Sequence, residues 1–246
     1  RTMEKVRVFC RNNGKFYEVA PGTELVELMQ MAGIDALAAY VDNQLKELGY
    51  PLYMAHSVEF LDYTNSDGRR CYKRSIYFLL QKAVQDLYPG KQLILDYTLP
   101  NGGYGEIVDA PLEDNPDDSL KIRMESVMEL TEEEVARIKM RMQEIVDEDI
   151  PIEKRKLSNE EAVRLFKHNR QYDKARLIED IGQFFVSVYF MGDCADTFYG
   201  PLLHSTGKIR KFNLMKYNKG FCVQFPSTLP PYELPCVKYQ EKLFNV

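Results

Sequence analysis

The sequence predicts an α+β protein in which a small first domain precedes a larger two-layer α/β domain with a mostly antiparallel sheet. Three observations predict this arrangement: short alternating segments joined by tight turns, amphipathic helix patterns between them, and a polar stretch at 64–70 that divides the elements into two groups. A chain of 246 residues with 45% hydrophobic content is long enough for two domains with cores of their own.

The first predicted domain covers residues 1–62 and has the order strand, strand, helix, strand, strand. Apolar and polar residues alternate in VRVFC and KFYEV, which flank the hairpin-forming dipeptide Asn13-Gly14. Thr23 is the expected cap of the helix ELVELMQMA, and Gly33 follows the end of that helix. This order of elements is typical of a ubiquitin-like β-grasp domain.

The second predicted domain covers residues 63–226 and begins with a buried helix. Apolar residues recur at positions 76, 79, 80, 83, 84 and 87, and Pro89-Gly90 ends the helix. Strands at 92–98 and 103–108 are expected around a turn at Pro100-Asn101-Gly102, followed by the acidic loop DAPLEDNPDD. The segment LKIRMESVMEL is interpreted as a short strand that runs into a turn.

Two capped helices and several strands complete the second predicted domain. Thr131 and Glu134 have capping-box spacing before one helix, and Ser158 begins another helix that ends near His168. From residue 183 onward, the strand-like runs FFVSVYF, KIRKFNLMKY and FCVQF alternate with turns. Residues 227–246 are expected to be a proline-rich linker toward a missing C-terminal domain.

The composition argues against several classes of protein. No apolar run is long enough to cross a membrane, and the N-terminus RTMEKVRVFC lacks the apolar region of a signal peptide, so we expect a cytoplasmic protein without a membrane partner. The five cysteines occur singly, which favours buried thiols over a disulfide framework or a zinc site. A net charge of -5 argues against general adhesion to nucleic acid, although one basic face on an acidic body is compatible with it.

The segment GPLLHSTGK at 200–208 is similar to a nucleotide phosphate loop but does not match one. A phosphate loop has four residues between its glycines and a Ser or Thr after its lysine, whereas this chain has six residues and Ile209. Phosphate binding is therefore not predicted there.

Several segments together resemble the N-terminal region of threonyl-tRNA synthetase. They are NGK, PGT, VEFLD before SDG, FLLQKAVQDLYPG, NGGYGEI, IVDEDIPIEKRKLSNEEAVRLF and GPLLHSTGKIRKFNL, in the family's order. Residues 5–62 resemble its TGS-type β-grasp domain, and residues 69–226 resemble the editing-type domain that follows. The resemblance implies that the second domain has this editing-type fold.

The resemblance also implies a metal site whose ligands this chain lacks. In the family, two histidines four residues apart on the first helix, and a cysteine and a histidine four residues apart around the Gly-Pro pair, bind a zinc-type ion. The matching positions here are Arg74, Phe78, Phe198 and Leu202. Because phenylalanine and leucine have no lone pair to donate and arginine is positively charged, we expect no bound metal and no catalytic residue in this chain.

Five residues are candidate contacts for a ligand or for RNA. Arg74 is expected to contact an anionic ligand or to pair with a carboxylate, and His204 either orients a ligand or is an ordinary turn residue. Lys208, Arg210 and Lys211 stand near Phe212 and Tyr217, together with Lys216 and Lys219. That mixture favours either contact with an RNA backbone and its bases or a solvated strand face.

The predicted function is binding or regulation without catalysis. The two domains without metal ligands resemble the N-terminal region of bacterial uridine-kinase-like nucleoside kinases, in which a kinase domain with a phosphate loop follows. That resemblance implies that ATP and Mg²⁺ bind to a C-terminal kinase domain after Val246, with no cofactor in residues 1–246. Two alternatives stay open, an editing hydrolase for aminoacyl-tRNA and an RNA-binding module, so the expected ligand is RNA or a nucleotide.

Overall fold

The computed structural model describes residues 4–99, 102–117, 119–228 and 234. Its first part consists of seven strands and one helix. In chain order they are β1 (Val6–Cys10), β2 (Lys15–Val19), β3 (Thr23–Glu24), α1 (Leu25–Ala32), β4 (Ala38–Val41), β5 (Gln44–Lys46), β6 (Pro51–Leu52) and β7 (His56–Leu61).

Five of these strands form one sheet in the order β2-β1-β7-β4-β5. The central strands β1 and β7 are parallel, and every other neighbouring pair in this sheet is antiparallel. Helix α1 buries Leu25 and Leu28 in one cluster with Val8 and Val58 of the sheet and with Leu48, which follows β5. This arrangement is the β-grasp fold that the sequence predicts.

The ends of α1 agree with the sequence in part. As predicted, Gly33 follows the helix, with a left-handed φ of 67°. The prediction that Thr23 caps the start of the helix is wrong. Thr23 is held extended because it pairs with Leu52, and its hydroxyl donates to Ala20 O at 2.7 Å. Glu24 is the capping residue instead, and its backbone N–H donates to the Glu27 carboxylate at 3.0 Å.

The second part contains five helices and seven strands. In chain order they are α2 (Ser66–Leu87), β8 (Lys91–Leu99), β9 (Gly102–Asp109), α3 (Ser119–Glu125), α4 (Glu132–Glu148), β10 (Ile152–Ser158), α5 (Asn159–His168), α6 (Tyr172–Ile181), β11 (Phe185–Met191), β12 (Cys194–Asp196), β13 (Asn213–Tyr217) and β14 (Gly220–Gln224). Two antiparallel sheets form, in the orders β13-β14-β9-β8 and β10-β11-β12, which confirms an α+β fold with mostly antiparallel sheets.

Helix α2 is the centre of the larger core. Its apolar stripe, which the sequence predicts, is buried at Ile76, Leu79, Leu80, Ala83 and Val84, in one cluster with residues of α4 and of β9, β11, β13 and β14. A second, smaller cluster lies between α5, α6 and the β10-β11-β12 sheet. The sheet β10-β11-β12 therefore has packed helices on one of its faces.

The predicted linker at 64–70 is wrong, because α2 begins at Ser66. Asn65 caps the helix by accepting from Asp67 N at 2.8 Å and Gly68 N at 3.1 Å. Position 68 admits only glycine, since a Cβ there would lie 2.2 Å from Asp62 O. The polar residues thus form the cap and the first turn of α2. The domain boundary predicted between residues 62 and 63 stays a prediction.

Other elements agree or differ for local reasons. The capping boxes of Thr131 with Glu134 and of Ser158 with Glu161 are confirmed. The strand predicted in LKIRMESVMEL is wrong, because these strong helix formers build α3. The sequence also failed to indicate α6. Pro100 and Asn101 of the predicted turn, and nearly all of the predicted linker 227–246, lie outside the described residues.

Within the described part of the chain, no helix combines the length and the apolar character that a membrane crossing requires.

Candidate functional site

Aromatic and aliphatic side chains fill the position at which the resemblance implies metal ligands. The rings of Phe78 on α2 and Phe198 lie edge to face with centroids 5.1 Å apart, and Phe198 also contacts Tyr189 at 6.0 Å. Phe78 and Leu202 are fully buried within the larger core. The structure therefore brings the expected positions together, but as a packed apolar cluster.

Arg74 lies at the edge of this cluster and is bound to the protein itself. Its Nε and Nη2 donate to Pro201 O at 3.1 and 3.0 Å. Burial lowers the pKa of its guanidinium, whereas electrostatic interaction with Cys71 and Tyr189 raises that pKa by less. A Cβ on Gly200 would lie 2.5 Å from Nη2 of Arg74, so the glycine leaves room for the guanidinium. Among the described residues, Arg74 is bonded to a backbone carbonyl and not to a carboxylate, and its predicted contact with an anionic ligand stays a prediction.

The segment at 200–208 is anchored to α2 and to the end of α4. Leu203 N donates to Ser75 Oγ at 2.8 Å, and Ser75 Oγ donates to Cys71 O at 2.8 Å. The buried Thr206 hydroxyl donates to Ile145 O at 2.7 Å. These bonds give the Gly-Pro and Ser-Thr-Gly residues a structural role in place of phosphate binding.

Among the residues that the structure describes, no three His, Cys, Asp or Glu side chains are grouped so that they could hold a metal ion. Cys194 is also a poor nucleophile, because burial raises the pKa of its thiol and Asp196 raises it further. Burial raises the pKa of Cys71 to about 12 in the same way. The described thiols are buried, as the sequence predicts.

A cleft of about 670 Å³ lies beside Phe198. It is bordered by α2, by the start of β8, by the α5–α6 connection and by β12. Its lining combines amide, cationic and aromatic side chains, which include Tyr77, Gln81, Gln85, Gln92, Arg170 and Phe198. Such a combination can hydrogen-bond a polar ligand while an apolar surface covers one side of it.

Ion pairs fix the charged groups around this cleft. Lys82 donates to Asp86 and to Asp193, each at 2.7 Å, and the bond from Lys82 lowers the pKa of Asp193. Lys174 donates to Asp196 and, at 3.2 Å, to the Thr197 hydroxyl. The carboxylates are therefore neutralised by cations of the protein.

The pair Lys174 and Asp196 is a feature that the sequence did not reveal. Neither residue has a local pattern that marks it, and they meet only because α6 packs against the sheet that contains β12.

The basic candidates near 210 contact the first part of the chain. Lys208 Nζ donates to Ala36 O at 2.9 Å and to Asp35 at 3.4 Å, and Arg210 pairs with Asp35 at 2.8 Å. With Lys211, they border a small cavity of about 230 Å³ that Tyr63 and Tyr72 also line. Lys208 and Arg210 thus serve first to join the two parts of the molecule.

His204 lies elsewhere, on a cavity of about 520 Å³ between the two parts. Its backbone carbonyl accepts from Ile152 N at 3.0 Å. The five candidates therefore fall into three places: Arg74 beside the aromatic cluster, His204 on its own cavity, and the basic group at Asp35. Phe212, proposed from the sequence as a base-stacking ring, is buried, and Tyr217 packs edge-on against Tyr104.

Comparison with known proteins gives one consistent similarity. No protein-family model matches the chain. It is 31% identical to the threonine–tRNA ligase of Aquifex aeolicus over 214 residues. This alignment covers 86% of this chain and 31% of that protein. It is 30% identical over 209 residues to the threonine–tRNA ligase of Desulforamulus reducens, with 82% and 30% covered.

A third relative, the threonine–tRNA ligase of Thermotoga neapolitana, is 30% identical over 213 residues, which cover 85% of this chain and 30% of that protein. The chain is thus homologous to part of the threonine–tRNA ligases and spans less than a third of the length of these curated relatives.

Proposed function

We propose that this part of the protein is an RNA-binding module related to the editing region of threonine–tRNA ligases, and that it binds RNA without metal-dependent hydrolysis. The observation on which this proposal depends is the packed cluster of Phe78, Phe198 and Leu202 in a chain homologous to those ligases. Homology supports RNA as the ligand, since the relatives are named for a reaction on tRNA. The apolar cluster argues against the hydrolysis.

The cleft beside Phe198 is the proposed place for one nucleotide of the RNA. Its volume of about 670 Å³ is within the range of small-ligand sites, roughly 300–1,000 Å³. Gln81 and Gln85 are one helical turn apart on α2, so both amides can hydrogen-bond the same base edge or ribose hydroxyl. Tyr77 and Phe198 offer apolar surface to the base.

Hydrolysis of aminoacyl-tRNA requires a nucleophile, and two routes to one are weakened here. The described residues provide no metal-binding group that would activate water. Cys194, which lies near the cleft, is held in its protonated form by burial. Binding therefore suits the local chemistry better than turnover.

The nucleoside-kinase continuation predicted from the sequence has no support from the relatives described above, which are all threonine–tRNA ligases. A C-terminal kinase domain that binds ATP and Mg²⁺ stays a prediction about residues after Val246. The RNA-binding proposal does not depend on it.

The experiment is a binding measurement with threonine-type tRNA at several salt concentrations, paired with a deacylation assay on the mischarged tRNA. We expect binding that weakens with salt, because phosphate contacts release counterions. We also expect Gln81→Ala with Gln85→Ala to weaken binding about tenfold, as expected for loss of about 1.4 kcal/mol, and the control Lys139→Ala on α4 to leave it unchanged.

Two results would overturn the proposal. One is the absence of any tRNA binding at low salt. The other is turnover of the mischarged tRNA that His204→Ala abolishes, which would restore the hydrolase alternative.

A further inference from the structure

We propose that the exposed end of β10 and β11, at Lys156 and Phe185, is a second RNA contact, at which Lys156 meets a phosphate while Phe184 and Phe185 stack on unpaired bases. This inference rests on the proposed RNA binding, but its residues lie outside the cleft. It identifies the partner more narrowly, as a single-stranded segment of RNA.

The strand register places cations and an aromatic ring on one face. β10 is an edge strand that pairs with β11, with Lys154 opposite Tyr189 and Ser158 opposite Phe185. Because side chains alternate along a strand, Lys154 and Lys156 share the face of Phe185, and Arg155 points to the opposite face. The helices α5 and α6 pack against that opposite face, where Phe190 lies.

Lys156 differs from the two cations beside it. Lys154 pairs with Glu47 at 3.0 Å, and Arg155 pairs with Glu153 at 2.6 Å. In the part of the chain that the structure describes, Lys156 has no acidic partner within salt-bridge distance, and its Nζ lies 4.5 Å from the centroid of the Phe185 ring. An exposed cation without a carboxylate partner is suited to a phosphate.

Exposed apolar side chains adjoin this cation. Phe184 is 88% exposed and Phe185 is 57% exposed. Two consecutive exposed phenylalanines are unusual on a protein surface, where large apolar side chains usually occur singly. Together with Lys156 they are the surface that we assign to a ligand.

The backbone that presents the two phenylalanines is fixed. Asn159 N donates to Phe184 O at 2.9 Å. The Asn159 side chain donates to Gln183 O at 2.7 Å and to Ile178 O at 3.1 Å. The rings are thus held out from a segment that is already ordered, which lowers the entropy lost when a ligand stacks on them.

Charge and shape together favour single-stranded RNA as the occupant. Aromatic rings next to cations bind unpaired strands, because each base has a face to stack and each nucleotide has a phosphate. A duplex keeps its bases stacked inside and cannot use the phenylalanines. A lipid surface would also accept exposed phenylalanines, so anionic vesicles are included in the test.

The test measures binding of a fluorescent single-stranded RNA to the full chain by anisotropy. The surface variant replaces Phe184 and Phe185 with alanine and Lys156 with serine. The matched control changes Lys139 to serine and Met140 to alanine, an exposed cation and an exposed apolar residue on α4. Thermal melting of each variant verifies that it is folded.

We expect the surface variant to bind the single strand at least tenfold more weakly, since stacking on an aromatic ring contributes strongly to such affinity. Lys156→Ser alone should reduce the slope of log affinity against log salt by about 0.7, the value for one phosphate contact on a single strand. The control should bind as the unaltered chain does.

Equal affinity of the surface variant and the unaltered chain would overturn this inference and leave RNA binding at the cleft intact. Binding to anionic vesicles that depends on Phe184 and Phe185, with RNA affinity unaffected by the same changes, would replace RNA with a membrane at this surface. Failure of the unaltered chain to bind any RNA would overturn both proposals.

Discussion

The ring of Phe78 meets the ring of Phe198 edge to face, with centroids 5.1 Å apart and planes inclined by 61°. Phe78 comes from the buried side of α2, and Phe198 follows β12, so the contact joins the long helix to the sheet β10-β11-β12. Both residues occupy positions where the family resemblance implies metal ligands. The contact is therefore an apolar link between these two elements at the place where the resemblance implies a metal.

Replacing Phe78 with alanine should destabilise the protein strongly. Phe78 is 0% exposed, and truncation of a buried phenylalanine costs about 3–5 kcal/mol of unfolding free energy because a cavity remains. Urea denaturation measures the change. Phe184→Ala, at an exposed ring, is the control and should change the unfolding free energy by less than about 0.5 kcal/mol. A change below about 1 kcal/mol for Phe78→Ala would show that the cluster does not support the core.

Gly200→Ala should destabilise the protein through Arg74. The added Cβ would lie 2.5 Å from Nη2 of Arg74, a side chain that is held by its two bonds to Pro201 O. We expect a loss of about 1–3 kcal/mol, as for other overpacked sites. Gly49→Ala is the control, because its Cβ would meet only His204 Nδ1 at an ordinary 3.8 Å.

The combination of Gly200→Ala with Arg74→Ala identifies the cause. If the guanidinium is the obstacle, the double variant should lose less stability than the sum of the single variants, with a coupling of about 0.5–3 kcal/mol. Additive losses would mean that the alanine disturbs the backbone rather than Arg74.

Acid should weaken the contact between Asp67 and the first part of the chain. The Tyr40 hydroxyl donates to the Asp67 carboxylate, and this bond, with a second from Arg70 at 2.5 Å, lowers the pKa of Asp67 below its ordinary 3.8. A lowered pKa in the folded state gives stability that is present above about pH 4 and is lost as the pH falls through the folded value.

The difference in unfolding free energy between the unaltered chain and Asp67→Asn should therefore be larger at pH 6 than at pH 3. Urea denaturation at the two pH values measures it. Asp147→Asn, at an exposed residue of α4, is measured alongside as the matched substitution. Equal differences at both pH values for Asp67→Asn would contradict the assignment.

Local signals in the sequence predicted local structure well. The apolar spacing from Ile76 to Val84 predicts the buried face of α2, and the capping boxes at Thr131 and Ser158 predict where two helices begin. Both features depend on residues only a few positions apart. The two strands and the helix at the start of the first part were also predicted from local patterns.

Contacts between distant segments could not be predicted in the same way. The ion pairs of Lys208 and Arg210 with Asp35 depend on how the two parts of the chain pack, and they give these two candidate RNA contacts a partner within the protein. Their contact with RNA stays a prediction. The stretch at 64–70 was read as a linker because an N-capping asparagine and a glycine also occur in turns. The capping bonds of Asn65 and the close approach of Asp62 O to Gly68 distinguish the two in the structure.

Restoring the family's ligands tests whether the geometry of the site persists. The variant Arg74→His, Phe78→His, Phe198→Cys, Leu202→His places two histidines one turn apart on α2 opposite a cysteine and a histidine. If the backbone still suits a tetrahedral site, zinc should raise the melting temperature of this variant and leave that of the unaltered chain unchanged. No response to zinc in the variant would mean that the backbone has moved as well.

The zinc content of the unaltered chain tests the central claim most directly. The protein is purified without chelator and without an affinity tag that binds metal, and zinc per chain is measured by elemental analysis. Because Phe78, Phe198 and Leu202 offer no lone pair and Arg74 is cationic, the account predicts no stoichiometric zinc. One zinc per chain would contradict it and would return metal-dependent hydrolysis to consideration.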